Sequence, residues 1–123
     1  MLKKSLRLRK KEDFNRIFRY SKPLFFNKIG CRYLFRATRE IAYNLNYLRV
    51  GFSFGKKHLP LATQRNRLRR ALSEAIFQLK DEWPENVDIV FFAVEKPQNI
   101  STSKSLPIIK YFLERIKENQ KRK

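Results

Sequence analysis

A single cysteine, Cys31, and a single histidine, His58, are all that this chain of 123 residues has of the side chains that staple or metallate small domains. One cysteine excludes an internal disulfide framework and implies a reducing compartment, and one histidine beside it cannot complete an ordinary zinc site. Acids are scarce too, 11 Asp and Glu against 29 Lys and Arg, and they are dispersed as Glu12-Asp13, Glu40, Glu74, Asp81-Glu82, Glu85, Asp88, Glu95, Glu114 and Glu118. A nuclease centre built from protein needs clustered carboxylates or paired histidines, so neither catalysis by the chain itself nor a cofactor held by it is expected. Gly-rich phosphate loops, GKS/T and HExxH patterns are missing. No apolar run reaches the ~20 residues of a membrane span, and Met1-Leu2-Lys3-Lys4 leads into further cations rather than a signal-peptide core. These absences predict a cytoplasmic chain with no membrane contact.

What is present is positive charge and apolar bulk together. A formal +18 and a pI near 10.5 call for a polyanionic partner. Hydrophobic residues at 42% and aromatics at 14% are too many for a disordered basic tail and enough for one core. The chain reads as one compact domain over residues 1–123, with a basic arm at 1–9 and a basic tail at 120–123.

Phe14, Ile17 and Phe18 recur at helical spacing and predict a first helix over about 10–20. Period two then takes over: Ile29, Cys31, Tyr33, Phe35 and Ala37 alternate with Lys28, Arg32, Leu34 and Arg36, a half-buried strand with a cationic reverse side. Residues 39–46 read as a turn. Val50, Phe52 and Phe54 mark a second strand that ends in Lys56-Lys57. After Pro60, with Thr63 as the candidate N-cap, Leu68, Ala71, Leu72, Ala75, Ile76 and Leu79 form a helical stripe to about Lys80. The apolar run over 87–94 predicts a strand buried on both faces and central in its sheet. Leu106, Ile109, Phe112, Leu113 and Ile116 give a last helix, and a short fourth strand near 98–103 is weakly signalled. The order α-β-β-α-β-α implies an α+β fold, a single-domain α/β sandwich.

The helix after Pro60 carries Arg65-Asn66-Arg67-Leu68-Arg69-Arg70 in its first turns. That end of a helix is already positive, so acids are favoured there and arginines penalised. On a wheel of 100° per residue, Arg65 and Arg69 flank the apolar stripe on one side and Arg67 on the other, while Asn66 and Arg70 share the outer face. Glu74 is placed to pair with Arg70, a contact worth ~0.3–0.5 kcal/mol on an exposed helix. A run of one sign at the wrong end of a helix, with Lys56 and Lys57 upstream, points to contact with an anionic backbone, because forked guanidinium donors suit phosphates. Phe14, Phe18, Tyr33 and Phe35 stand beside cations, as stacking residues do in proteins that hold unpaired bases. Periodicity leaves open which of them face the core.

Arg49-Val50-Gly51-Phe52-Ser53, then Lys56-Lys57, then the Arg65–Arg70 segment, together with Asp13-Phe14, Ile17-Phe18 and Asp88-Ile89-Val90-Phe91, resemble the bacterial ribonuclease P protein component over nearly the whole chain. Phe54-Gly55 and Pro60 depart from the usual pattern. The resemblance implies a left-handed β-α-β crossover around the Arg-Asn-Arg helix, against the common right-handed preference. It also implies an accessory subunit of the ribonucleoprotein that removes the 5′ leader of precursor tRNA, with hydrolysis by the RNA subunit and its Mg²⁺. By the same resemblance Arg65, Asn66, Arg67, Arg69, Arg70, Lys56 and Lys57 contact the catalytic RNA and its adjoining cleft. Phe14, Phe18 and Phe35 match aromatic positions of the leader-binding cleft, with Tyr33 beside them. No protein partner is implied, and the subunit is expected to be a monomer within the ribonucleoprotein. Composition alone would favour a ribosomal or other structural RNA-binding protein, and a self-sufficient endonuclease stands as a third reading.

Overall fold

The computed structural model describes residues 6–36, 48–96 and 101–121. Its elements are α1 (Lys11–Tyr20), β1 (Pro23–Phe26), β2 (Ile29–Phe35), β3 (Arg49–Ser53), α2 (Ala62–Gln78), a 3-10 turn at Lys80–Glu82, β4 (Val87–Ala93) and α3 (Thr102–Lys121). Lys3, Lys4, Ala37, the turn at 39–46 and the tail residues Arg122 and Lys123 lie outside the described residues.

The expected order holds, with one strand moved. No strand forms at 101–103: Thr102 and Ser103 already belong to α3, because Ser101 Oγ accepts the Lys104 N–H at 3.3 Å and caps the helix a turn earlier than the apolar stripe suggests. Residues 97–100 are outside the described set. The fourth strand is instead β1, paired antiparallel with β2 through the loop Asn27-Lys28, whose φ values of 48° and 70° are those of a tight two-residue hairpin.

The sheet order is β1-β2-β4-β3, with β3 parallel to β4 and the other pairs antiparallel. β4 is thus an inner strand, buried from Val87 through Phe91. One face of the sheet packs on α2 and α3. There Ile29, Cys31, Val50, Ile89 and Phe91 meet Leu68, Leu72, Ile76, Ile109, Phe112 and Ile116. The other face receives α1, whose Ile17 packs with Leu8, Val90 and Leu34. Beyond β3 the incoming chain covers the edge, since Leu8 N–H donates to Val50 O at 2.8 Å.

The N-cap of α2 is Leu61, not Thr63. Leu61 is extended, and the Gln64 side chain reaches back to accept its N–H at 3.1 Å. Thr63 lies inside the first turn. The far end is closed by Trp83, whose Nε1–H donates to Ile76 O at 2.7 Å.

The reverse side of β2 carries the expected cations Arg32 and Arg36, but much of it is covered. Leu34 is in the α1 cluster, and Arg36 is buried against Asp88, its Nη1 at 2.5 Å from Oδ1. Asp88 itself is 0% exposed and accepts two further guanidinium groups: Arg49 Nε and Nη2 at 2.8 Å each, and Arg16 Nη2 at 3.2 Å. One buried carboxylate therefore ties α1, the end of β2 and β3 to β4. Removing one member of a buried ion cluster strands the rest without compensation. Asp88→Ala should destabilise the fold by about 3–5 kcal/mol in urea unfolding; a loss below about 1 kcal/mol would show that the arginines find other partners.

Candidate RNA interface

The α1 side of the sheet is organised in cross-strand rows. Leu34, Asp88 and Arg49 form one; Pro23, Arg32, Val90 and Gly51 the next; Phe25, Gly30, Phe92 and Ser53 the third. α1 lies over the middle. Its Phe14 ring occupies the space above Gly51, where a Cβ would stand 2.6 Å from Phe14 Cζ. Arg16 reaches the Asp88 row on one flank, and on the other Phe18 meets Phe92 at a centroid distance of 6.4 Å. The helix thus divides this face into an ionic half and an aromatic half.

The aromatic half is open. Phe18 is 39% exposed, and the Arg32 guanidinium sits 5.6 Å from its ring centroid, steadied by a 2.6 Å hydrogen bond from Nη1 to Ser21 O. Tyr33 and Phe35 do not join Phe14 and Phe18. They project from the opposite face of β2, where their rings meet edge-on at 5.5 Å beside the α2–α3 core, and Tyr33 Oη accepts a hydrogen bond from Asn119. The four aromatics therefore cannot line one cleft. Neighbours in a strand face opposite ways, so Arg32, and not Tyr33, stands on the α1 side.

Because β3 and β4 are parallel, α2 returns the chain from the carboxyl end of β3, and its arginine-rich turns begin there. Ser53 and Phe92 are partners at that same end, and Lys56 and Lys57 follow directly, both exposed. The motif's side chains have separate tasks. Arg65 donates to Leu59 O at 2.8 Å and Pro60 O at 3.2 Å, fixing the loop before the helix. Arg69 donates to Asn66 Oδ1 at 2.9 Å. Arg67 and Arg70 are exposed with no hydrogen bond or ion pair among the described residues, and the expected Arg70–Glu74 pair does not form. Of the departures from the family pattern, Phe54 is absorbed into the core beside Phe52, and Pro60 supplies a carbonyl to Arg65.

Among the described residues no three His, Cys, Asp or Glu side chains come together, and both oxygens of the buried Asp88 are taken by guanidinium groups. Burial raises the Cys31 pKa far above its ordinary value, leaving a neutral core thiol. No helix among the described residues is long and apolar enough to cross a membrane.

The profile of the Ribonuclease P family matches residues 2–117. The chain belongs to that family. Ribonuclease P protein components of Enterococcus faecalis and Pelotomaculum thermopropionicum are 30% identical over 92 residues and 35% identical over 86; the alignments span 75% and 70% of this chain and 72% and 70% of those proteins. The fold is that of the Staphylococcus aureus RNase P protein, at a TM-score of 0.75 with 22% identity over 93% of this chain and 97% of that one. The Thermotoga maritima RNase P protein superposes at 0.72 with 25% identity, covering 89% of this chain and 96% of that one. The chain is therefore a subunit of ribonuclease P, a ribonucleoprotein endoribonuclease of tRNA processing, which displaces the ribosomal reading.

The division of labour on α2 can be measured. Arg67→Ala should reduce the log–log salt slope of RNA binding by roughly 0.9, the value for one duplex-like phosphate contact. An unchanged slope would mean that Arg67 is only solvated.

Proposed function

We propose that the chain grips the catalytic RNA of ribonuclease P with the exposed cations of α2 and with Lys56 and Lys57, while the aromatic half of the α1 face holds the single-stranded 5′ leader of precursor tRNA. The observation that carries this reading is the placement of unpaired arginines and an open aromatic surface at the same end of one sheet. Arginine neutralises folded-RNA phosphates without reading sequence, and exposed rings stack unpaired bases of any identity. Within the motif, Arg67 and Arg70 are the direct contacts. Arg65 holds the approach loop, and Asn66 and Arg69 act as a pair.

In the cleft, Phe18 offers the accessible ring, and Phe14 supports the wall from its seat on Gly51. Tyr33 and Phe35 have no part in this cleft, because the sheet stands between. Leader binding then favours precursor over mature tRNA. Hydrolysis belongs to the RNA subunit with its Mg²⁺, a reading supported by the described residues, among which no three His, Cys, Asp or Glu side chains come together. Cations on the protein offset phosphate repulsion and lower the Mg²⁺ that the complex needs.

Mixing the chain with a bacterial ribonuclease P RNA and precursor tRNA at low Mg²⁺ should stimulate 5′ cleavage. No stimulation across a salt and Mg²⁺ titration would sink the reading, and cleavage by protein alone would revive a self-sufficient nuclease. Phe18→Ala should weaken binding of precursor more than of mature tRNA, by roughly 1–3 kcal/mol if one stacked base is lost. Equal loss for both, with lowered stability, would return Phe18 to a purely structural role.

A further inference from the structure

The row Phe25-Gly30-Phe92 runs from under α1 out to the β1 edge of the sheet, and nothing in the Arg-Asn-Arg segment or its flanks requires it. Phe25 is 55% exposed on a strand whose reverse-face side chains have partners of their own, Leu24 against the core and Phe26 stacked on Tyr111 at 4.5 Å. Its ring meets Phe92 edge-on, at 6.1 Å and 86°. Phe92 in turn touches Phe18, so the rings form a continuous series from the helix to the sheet edge.

Gly30 makes this arrangement possible. A Cβ at that position would stand 2.4 Å from Phe92 Cε2 and 2.5 Å from Cζ, so the absence of a side chain lets Phe92 lie across β2 between its neighbours. The surroundings are cationic: Arg32 stands over Phe18, Lys22 and Lys28 bracket β1 in sequence, and both lysines are exposed. β1 and β2 contain no acid.

We infer that Phe25 and Phe92 form a second stacking subsite, next to Phe18, which seats an unpaired nucleotide of the leader at the β1 edge while Arg32 faces the connecting phosphate. The inference rests on the leader-binding reading of the α1 face and extends it to residues outside the family motif. Single-stranded nucleic acid is the occupant that fits, because it presents flat bases and anionic links in alternation, and in a ribonuclease P subunit that strand is RNA. An apolar protein surface would bury these cations without a partner. Reading at this subsite is by stacking, so it tolerates any base and adds affinity for longer leaders.

The test uses the assembled protein–RNA complex and precursor tRNAs with a long or a single-nucleotide leader. Phe25→Ala should weaken the long-leader precursor by roughly 5- to 160-fold, the loss of one stacked base, and leave the single-nucleotide leader unchanged. Phe25→Trp should restore the difference. Phe25 is exposed, so truncation should leave the fold intact, which thermal unfolding of the variant would verify. If Phe25→Ala binds long leaders normally, or loses equally on both, while Phe18→Ala still discriminates, the second subsite is wrong and the leader reading survives. If neither variant discriminates, the leader reading falls with it.

Discussion

The arrangement of the α1 face depends on one buried carboxylate. Asp88 brings together guanidinium groups from α1, from the residue after β2 and from β3, spanning 72 positions of sequence in its contact with Arg16. Isolated, any of those charges would be costly to bury; together they satisfy one another through charge-assisted hydrogen bonds while the cluster stays cationic. The consequence is positional. With Arg16 held on the Asp88 row, α1 cannot rotate without breaking that contact, and Phe18 is thereby presented over Phe92 on the helix's other flank.

The second constraint is the parallel β3–α2–β4 unit, which requires α2 to start at the carboxyl end of β3. That places arginines at the positive end of a helix dipole, an arrangement unfavourable in isolation. Only part of the penalty is relieved internally. Arg65 turns back to the Leu59 and Pro60 carbonyls and Arg69 finds Asn66, whereas Arg67 and Arg70 stay in solvent. Phosphates of a folded RNA would relieve the remainder, which makes the local conflict intelligible as a binding device.

Periodicity identified α1, β2, β3, α2, β4 and the apolar stripe of α3 well, because each has a strong helical or alternating pattern that the core then uses. β1 escaped notice. Its Pro23-Leu24-Phe25-Phe26 does not alternate, and its signal is a hairpin loop with Asn27 at the first position. The Asp88 cluster was equally invisible, since an acid surrounded by apolar residues in sequence gives no hint of arginines from three distant elements. The arginine helix was legible because its charges are consecutive, although the separate tasks of Arg65 and Arg69 depend on loop carbonyls and an amide that only the fold brings near. For the aromatics, alternation put Tyr33 with Ile29 and Cys31, which itself argued for the core side; nearness to cations pointed the other way. Strand geometry prevailed.

The central claim is that leader and catalytic RNA occupy different surfaces, the aromatic half of the α1 face and the outer turns of α2. Photo-crosslinking from a modified leader nucleotide, and separately from the RNA subunit, tests it within the assembled complex. Leader crosslinks should map to α1, β1 and Phe92, and those from the RNA subunit to α2 around Arg67 and Arg70. Leader crosslinks to the Tyr33–Phe35 side of the sheet, or to the same α2 residues as the RNA subunit, would contradict the account.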